Sequence, residues 1–420
     1  MGLGFYIVMA AQFFSALADN ALLIAAIALL MDMNAPAEQI PLLKFFFTVS
    51  YVLLAAFVGA FADSMPKWRV MLISNSIKVI GCGLMFVDVH PLLAYAVVGL
   101  GAAAYSPAKY GILTEMLPPT RLVVANGWIE GLTVGAIILG TLLGGALIHP
   151  ATLHWISGLN IPALGPMLNS SIDLSVLFIG LLYVIAAVFN MYVPDTGVDH
   201  RPLRNNPIYL IHEFTHCVRL LWRDKLGQIS LSVTTLFWGA GATLQFIVLD
   251  WARINLGLSL SQATNMQGVV AVGVAVGSVL AAKFISLRRS PQVIPLGIAM
   301  AVGIMLMIVI THVSLAMVLL VAVGALAGFF VVPMNALLQH RGHVLMGAGH
   351  SIAVQNFNEN LSILMMTALY ALLVKFGLAI NIVIAMFAVF MAGAMYLVKL
   401  RHDANQREYD SVSLLDDHRH

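Results

Sequence analysis

Five ionisable residues stand in or at the edge of long apolar runs: Asp19, Lys78, Lys109, Glu130 and Glu359. A charge at membrane depth costs roughly 2.5–3.5 kcal/mol on insertion scales, so each marks a site for a charged solute, an ion or a proton. Asp19 lies in Ser15-Ala-Leu-Ala-Asp19-Asn20, and Lys78 falls some way into the third apolar run. Glu130 follows Asn126 by four residues, which puts both on one helix face. Glu359 sits among Gln355, Asn356, Asn358 and Asn360, while the seventh run offers only Gln245. Three carboxylates with neutral oxygens at Asn20, Asn126 and Asn356 could also host sodium or a proton as a coupling ion. The competing reading is that these groups pair with one another and tie helices together.

A different chemistry is suggested by His212-Glu213-Phe-Thr-His216, a literal H-E-x-x-H. On a helix this spacing aims two imidazoles at one zinc ion with a glutamate beside its water, so a membrane metalloprotease is a competing reading. The motif lies in a polar segment with no patterned third ligand, so a surface amphipathic helix fits it better and no metal is expected. No Gly-x4-Gly-Lys-[Ser/Thr] occurs, and no histidine has an aspartate five positions on, so neither ATP hydrolysis nor H-x4-D acyl transfer is expected.

The elements that must carry these residues are membrane spans. Hydrophobic residues make up 60% of the 420 and charged ones 10%, against about 45–50% and 25% in soluble chains. With a net charge of +2, the chain is neither a water-soluble enzyme nor a nucleic-acid binder. Runs long enough to cross hydrocarbon fall near 4–31, 41–62, 70–88, 91–113, 122–148 and 172–193. Six more fall near 226–250, 262–287, 291–311, 314–338, 347–374 and 378–400. With the N-terminus inside, 17 Lys and Arg fall in cytoplasmic segments, Arg201, Arg204 and Arg419 among them, and three fall outside. Both termini are therefore expected in the cytoplasm. No cleavable signal peptide is expected, nor a disulfide between Cys82 and Cys217.

The organisation expected is a six-helix bundle at 1–193, a basic connector at 194–225, a second bundle at 226–400 and a cytoplasmic tail at 401–420. The halves repeat: Gly101-Ala-Ala-Ala-Tyr-Ser-Pro107 matches Gly328-Phe-Phe-Val-Val-Pro333, and Val124-Ala-Asn126 matches Val354-Gln-Asn356. Parallel six-helix repeats build secondary transporters whose sites lie between the repeats. The Gly140/Gly144 and Gly273/Gly277 pairs read as helix packing.

Gly59-Ala-Phe-Ala-Asp63-Ser-Met-Pro-Lys67-Trp-Arg69 resembles the loop between helices two and three of the major facilitator superfamily. The resemblance implies that Asp63, Lys67 and Arg69 form a charge–helix-dipole latch on the cytoplasmic gate. Five blocks are similar to the bacterial lysophospholipid transporter family: Ala18-Asp19-Asn20, Ala104–Leu113, Leu236–Gly241, Phe329–Gln339 and Ala353–Asn360. The chain departs from that family's pattern at Gln245, where a basic residue is usual.

That likeness implies an all-α integral membrane protein of the major facilitator fold, with twelve helices in two pseudo-symmetric bundles. It implies a flippase moving lysophosphatidylethanolamine-like lipid inward across the bacterial inner membrane by alternating access. A separate acyltransferase/acyl-carrier-protein synthetase would reacylate the product. A zwitterionic headgroup needs both charge signs, so Asp19 or Glu359 would meet the ammonium and Lys109 the phosphate. A cation-coupled multidrug efflux carrier of the same superfamily is the alternative.

Overall fold

The computed structural model describes residues 2–35, 39–149, 171–199, 206–258 and 260–415. Arg201, Arg204 and Arg419, counted above for orientation, lie outside the described residues. The described residues fold into fourteen α-helices with short 3-10 turns. They are α1 (Leu3–Asp32), α2 (Gln39–Leu53), α3 (Ala55–Asp63), α4 (Lys67–Phe86), α5 (Pro91–Met116), α6 (Pro119–Leu147) and α7 (Ser171–Met191). Then come α8 (Pro207–Arg223), α9 (Gly227–Asn255), α10 (Leu260–Phe284), α11 (Ile294–Leu306), α12 (Val313–Met346), α13 (Ala348–Lys375) and α14 (Ile380–Glu408).

Among the described residues, eleven helical runs are long and apolar enough to cross a membrane. The second span expected from the sequence is instead a pair, α2 and α3, bent by 63° at Leu54; counted as one, it makes twelve. The ninth is α11 extended by a 3-10 turn at each end, Leu287–Val309 in all. Helices satisfy their own backbone groups, which is what hydrocarbon demands of a spanning segment. Pro107 lies inside α5 and Pro333 inside α12.

Close contacts divide the chain into two compact units. The first comprises Met1–Met116, Gly135–Phe214 and Ala348–Ala353; the second comprises Leu117–Val134, Thr215–Gly347 and Val354–His420. In the first unit α1, α4, α5 and α7 enclose a core of residues such as Leu22, Met85, Val98 and Tyr183. In the second, α9, α11, α12 and α14 enclose Ile247, Trp251, Phe330 and Met391. The buried Trp251 indole donates to the Met307 carbonyl at 2.9 Å, which satisfies its one polar atom.

The glycine pairs pack helices together, as their spacing suggested. In the second unit a Cβ on Gly277 would strike the Ala325 carbonyl oxygen, and one on Gly328 the Val274 carbonyl oxygen. α10 and α12 thus touch backbone to backbone, where dispersion replaces the hydrophobic drive that lipid removes. Cys82 and Cys217 are both buried, and no disulfide joins them.

Candidate functional site

In the first unit Asp19 is the centre of a polar cluster buried between α1, α4, α5 and α7. Lys78 Nζ lies 2.8 Å from Asp19 Oδ2 and donates to Ser15 Oγ at 2.9 Å. Ser15 in turn donates to Asn75 Oδ1 at 2.8 Å, and the Tyr183 hydroxyl donates to Asp19 Oδ1 at 2.7 Å. The Tyr105 and Tyr183 rings flank the Lys78 ammonium at 5.3 and 5.6 Å. Lys78 is buried, whereas the Asp19 side chain keeps 18% of its surface exposed. Each Asp19 oxygen thus accepts one of these bonds, while the exposed part of the carboxylate stays open to a further donor. Asn20 donates to the Ala16 carbonyl at 2.8 Å, one turn back. Lys109 is half-buried, with Nζ 4.2 Å from the Tyr110 ring.

The loop 63–69 builds a second cluster in the same unit. Asp63 ends α3, and its carboxylate accepts the backbone N–H groups of Gly349 at 2.7 Å and His350 at 3.0 Å. His350 Nδ1 also approaches it at 2.6 Å, and Lys67 Nζ at 2.8 Å. A carboxylate on the first amides of α13 satisfies orphan donors and complements the helix dipole. Gly347 makes this possible: its φ of +94° turns the chain from α12 straight into α13, a conformation side chains disfavour. Gly349 is needed too, because a Cβ there would lie 2.5 Å from Asp63 Oδ1.

Lys67 reaches Glu115 at 3.4 Å and donates to the Ala62 carbonyl at 2.6 Å. Glu115 accepts from the Thr196 hydroxyl at 2.7 Å. Arg69, grouped with Asp63 and Lys67 from the sequence, is exposed and lies over the Trp68 ring at 5.1 Å. Glu213 of the H-E-x-x-H stretch has Oε2 3.8 Å from His350 Nε2, while His212 and His216 are exposed. Among the described residues no three His, Cys, Asp or Glu side chains converge as metal ligands.

In the second unit the candidates form a chain of amides ending in carboxylates. Asn126 and Gln339 are fully buried and exchange two side-chain hydrogen bonds, at 2.9 and 2.8 Å. One turn on, Asn335 Nδ2 donates to Glu130 Oε1 at 3.2 Å. Gln355 Nε2 donates to Asn335 Oδ1 at 3.0 Å and to Glu359 Oε1 at 2.8 Å. Glu130, Asn335, Gln355 and Glu359 are thus one hydrogen-bonded series from α6, α12 and α13. Asn356 is buried, and its carbonyl accepts from Asn360 at 2.8 Å. Gln245 lies within α9, is exposed, and donates to Gln267 Oε1 at 3.2 Å.

The model of the Major Facilitator Superfamily matches residues 8–365. A lysophospholipid transporter of Yersinia enterocolitica is 40% identical over 378 residues, which is 90% of this chain and 89% of that one. The chain belongs to the lysophospholipid transporter family of the major facilitator superfamily. The lysophospholipid transporter of Yersinia pestis strain Pestoides F is also 40% identical, over 88% of this chain and 86% of its own. The fold is shared with a bacterial homologue of the iron transporter ferroportin, at a TM-score of 0.71 and 12% identity. That match covers 97% of this chain and 100% of the other. The transporter FucP matches with a TM-score of 0.71 and 12% identity, over 96% of this chain and 98% of its own.

For a member of this family, sequence reasoning found the charged residues but missed most of their partners. Lys78 stood out as a buried ammonium, yet nothing in its spacing named Asp19, 59 residues away, as its counter-ion. His350 and Glu115 carried no signal of their own. The pairings of Asn335 with Glu130 and of Gln339 with Asn126 cross 205 and 213 residues, beyond the reach of any local pattern.

Proposed function

We propose that the chain carries lysophospholipids of the lysophosphatidylethanolamine type from the outer to the inner leaflet of the bacterial inner membrane. The observation that carries this reading is the 40% identity, over 90% of the chain, to a relative named as a lysophospholipid transporter. The excess of Lys and Arg in alternate connecting segments supports cytoplasmic termini. A separate acyltransferase/acyl-carrier-protein synthetase would consume the product. In this reading Lys109 is the candidate for the substrate phosphate, and Asp19 or Glu359 the candidate for its ammonium. Asp63, with Lys67, latches the start of α13 on the cytoplasmic side while the carrier alternates.

The test is uptake of labelled lysophosphatidylethanolamine by spheroplasts with and without the protein. Faster inward movement with the protein supports the reading; equal rates overturn it. Repeating the assay with choline in place of sodium, and with a protonophore, tests the coupling ion. Uptake unaffected by both treatments would leave facilitated diffusion.

A further inference from the structure

The connector helix α8 presents two surfaces. Leu210, Phe214, Cys217 and Leu221 form a buried stripe against the protein. Helical positions advance by about 100° per residue, so the opposite face divides along its length. One edge exposes Ile208, Ile211 and Trp222, at 79, 51 and 40% of their surface. The adjoining edge exposes His212, His216, Arg219 and Arg223. Large apolar groups beside cations suit a lipid–water boundary, where the former meet acyl chains and the latter meet phosphates.

The ends of α8 support that placement. Arg223 is followed by only Asp224, Lys225 and Leu226 before the membrane-spanning α9 begins at Gly227. That joint is fixed: Asp224 takes Arg341 Nη2 at 2.6 Å and the Gly227 N–H at 2.7 Å. Trp222 and Arg223 are therefore held at the border of the span. The inner side of the same helix carries Glu213 to within 3.8 Å of His350, which itself holds Asp63.

We propose that the outward face of α8 docks on anionic phospholipid headgroups, with Ile208, Ile211 and Trp222 at the acyl boundary and Arg219 and Arg223 on the phosphates. This inference does not depend on the transported substrate, and its test contains none. The full-length protein is reconstituted in bilayers of phosphatidylethanolamine with increasing phosphatidylglycerol. Either lipid is brominated near the glycerol end of its acyl chains. The contribution of Trp222 is obtained by difference from Trp222→Phe.

Quenching of that component should be stronger with brominated phosphatidylglycerol than with brominated phosphatidylethanolamine at equal content, and salt should weaken the preference. In Arg219→Gln and Arg223→Gln the half-saturating phosphatidylglycerol fraction should rise about five-fold per arginine removed. Equal quenching by the two brominated lipids overturns the anionic preference. No quenching of Trp222 by either overturns the docking itself.

Discussion

Asp63 Oδ1 accepts the backbone N–H of Gly349 at 2.7 Å, across 286 residues of sequence. The loop motif at Asp63 and the start of α13 are thus one local structure. A hydrogen bond to a charged group contributes about 1.5–3 kcal/mol, and the helix dipole adds about 0.3–1 kcal/mol. Asp63→Asn keeps the shape but loses the charge and one acceptor. Amide exchange at Gly349 and His350 should then rise about ten-fold or more, as read by hydrogen-exchange mass spectrometry of the 345–355 segment. Unchanged exchange would show that the carboxylate does not hold this helix start.

The Asp19–Lys78 pair predicts a rescue. Lys78 is buried, so Asp19→Asn leaves an ammonium without its counter-charge, a change that costs about 3–5 kcal/mol in buried pairs. Replacing both partners removes the stranded charge. Asp19→Asn and Lys78→Met should each lower the Tm of the purified protein sharply, and the double variant should recover most of the loss. Additive losses in the double variant would show that the pair is not coupled.

Membrane class and span positions were legible because hydrocarbon thickness imposes length and composition on every crossing. The bend at Leu54 was not, because no proline or glycine stands at the break, between Tyr51 and Val58. Charged residues announced themselves by their cost in the membrane, so Asp19, Lys78, Glu130 and Glu359 were found. Their partners were not, since long-range pairing is decided by packing. Glu213 belongs to a motif read as a surface amphipathic helix in preference to a zinc site, and nothing in that motif named His350, beside which the fold sets it.

Packing supplies the next prediction. Gly277 and Gly328 face the backbone of the opposing helix so closely that a Cβ would meet Ala325 O and Val274 O. Backbone cannot retreat as a flexible side chain can, and over-packing costs about 1–3 kcal/mol even where side chains adjust. Gly277→Val should therefore reduce folded yield and Tm far more than Gly145→Val on α6, whose added Cβ meets nothing within 4 Å. Size-exclusion profiles and Tm of the two variants side by side decide it. Equal behaviour would mean that α10 and α12 can separate without loss.

The amide exchange between Asn126 and Gln339 gives the last. Each side chain donates to the other, at 2.9 and 2.8 Å, with both residues fully buried. Removing Asn126 strands the buried Gln339 amide, and removing Gln339 strands Asn126 Oδ1, since Asn126 Nδ2 keeps the Leu122 carbonyl. An unsatisfied buried group costs about 1–3 kcal/mol, whereas removing both is nearly neutral when the shape is kept. Asn126→Leu and Gln339→Leu should each destabilise the protein, and the double variant should lose less than the sum of the two. The sign of the interaction energy is the observable. Asn335 and Glu130 sit one turn away in the same seam, joined at 3.2 Å, and supply a matched comparison. Glu130→Gln preserves an acceptor for Asn335 Nδ2 while removing the charge, so its stability should stay near that of the parent. If lysophospholipid uptake nevertheless falls, the Glu130 charge serves transport rather than folding; if stability falls in step with uptake, its role is structural.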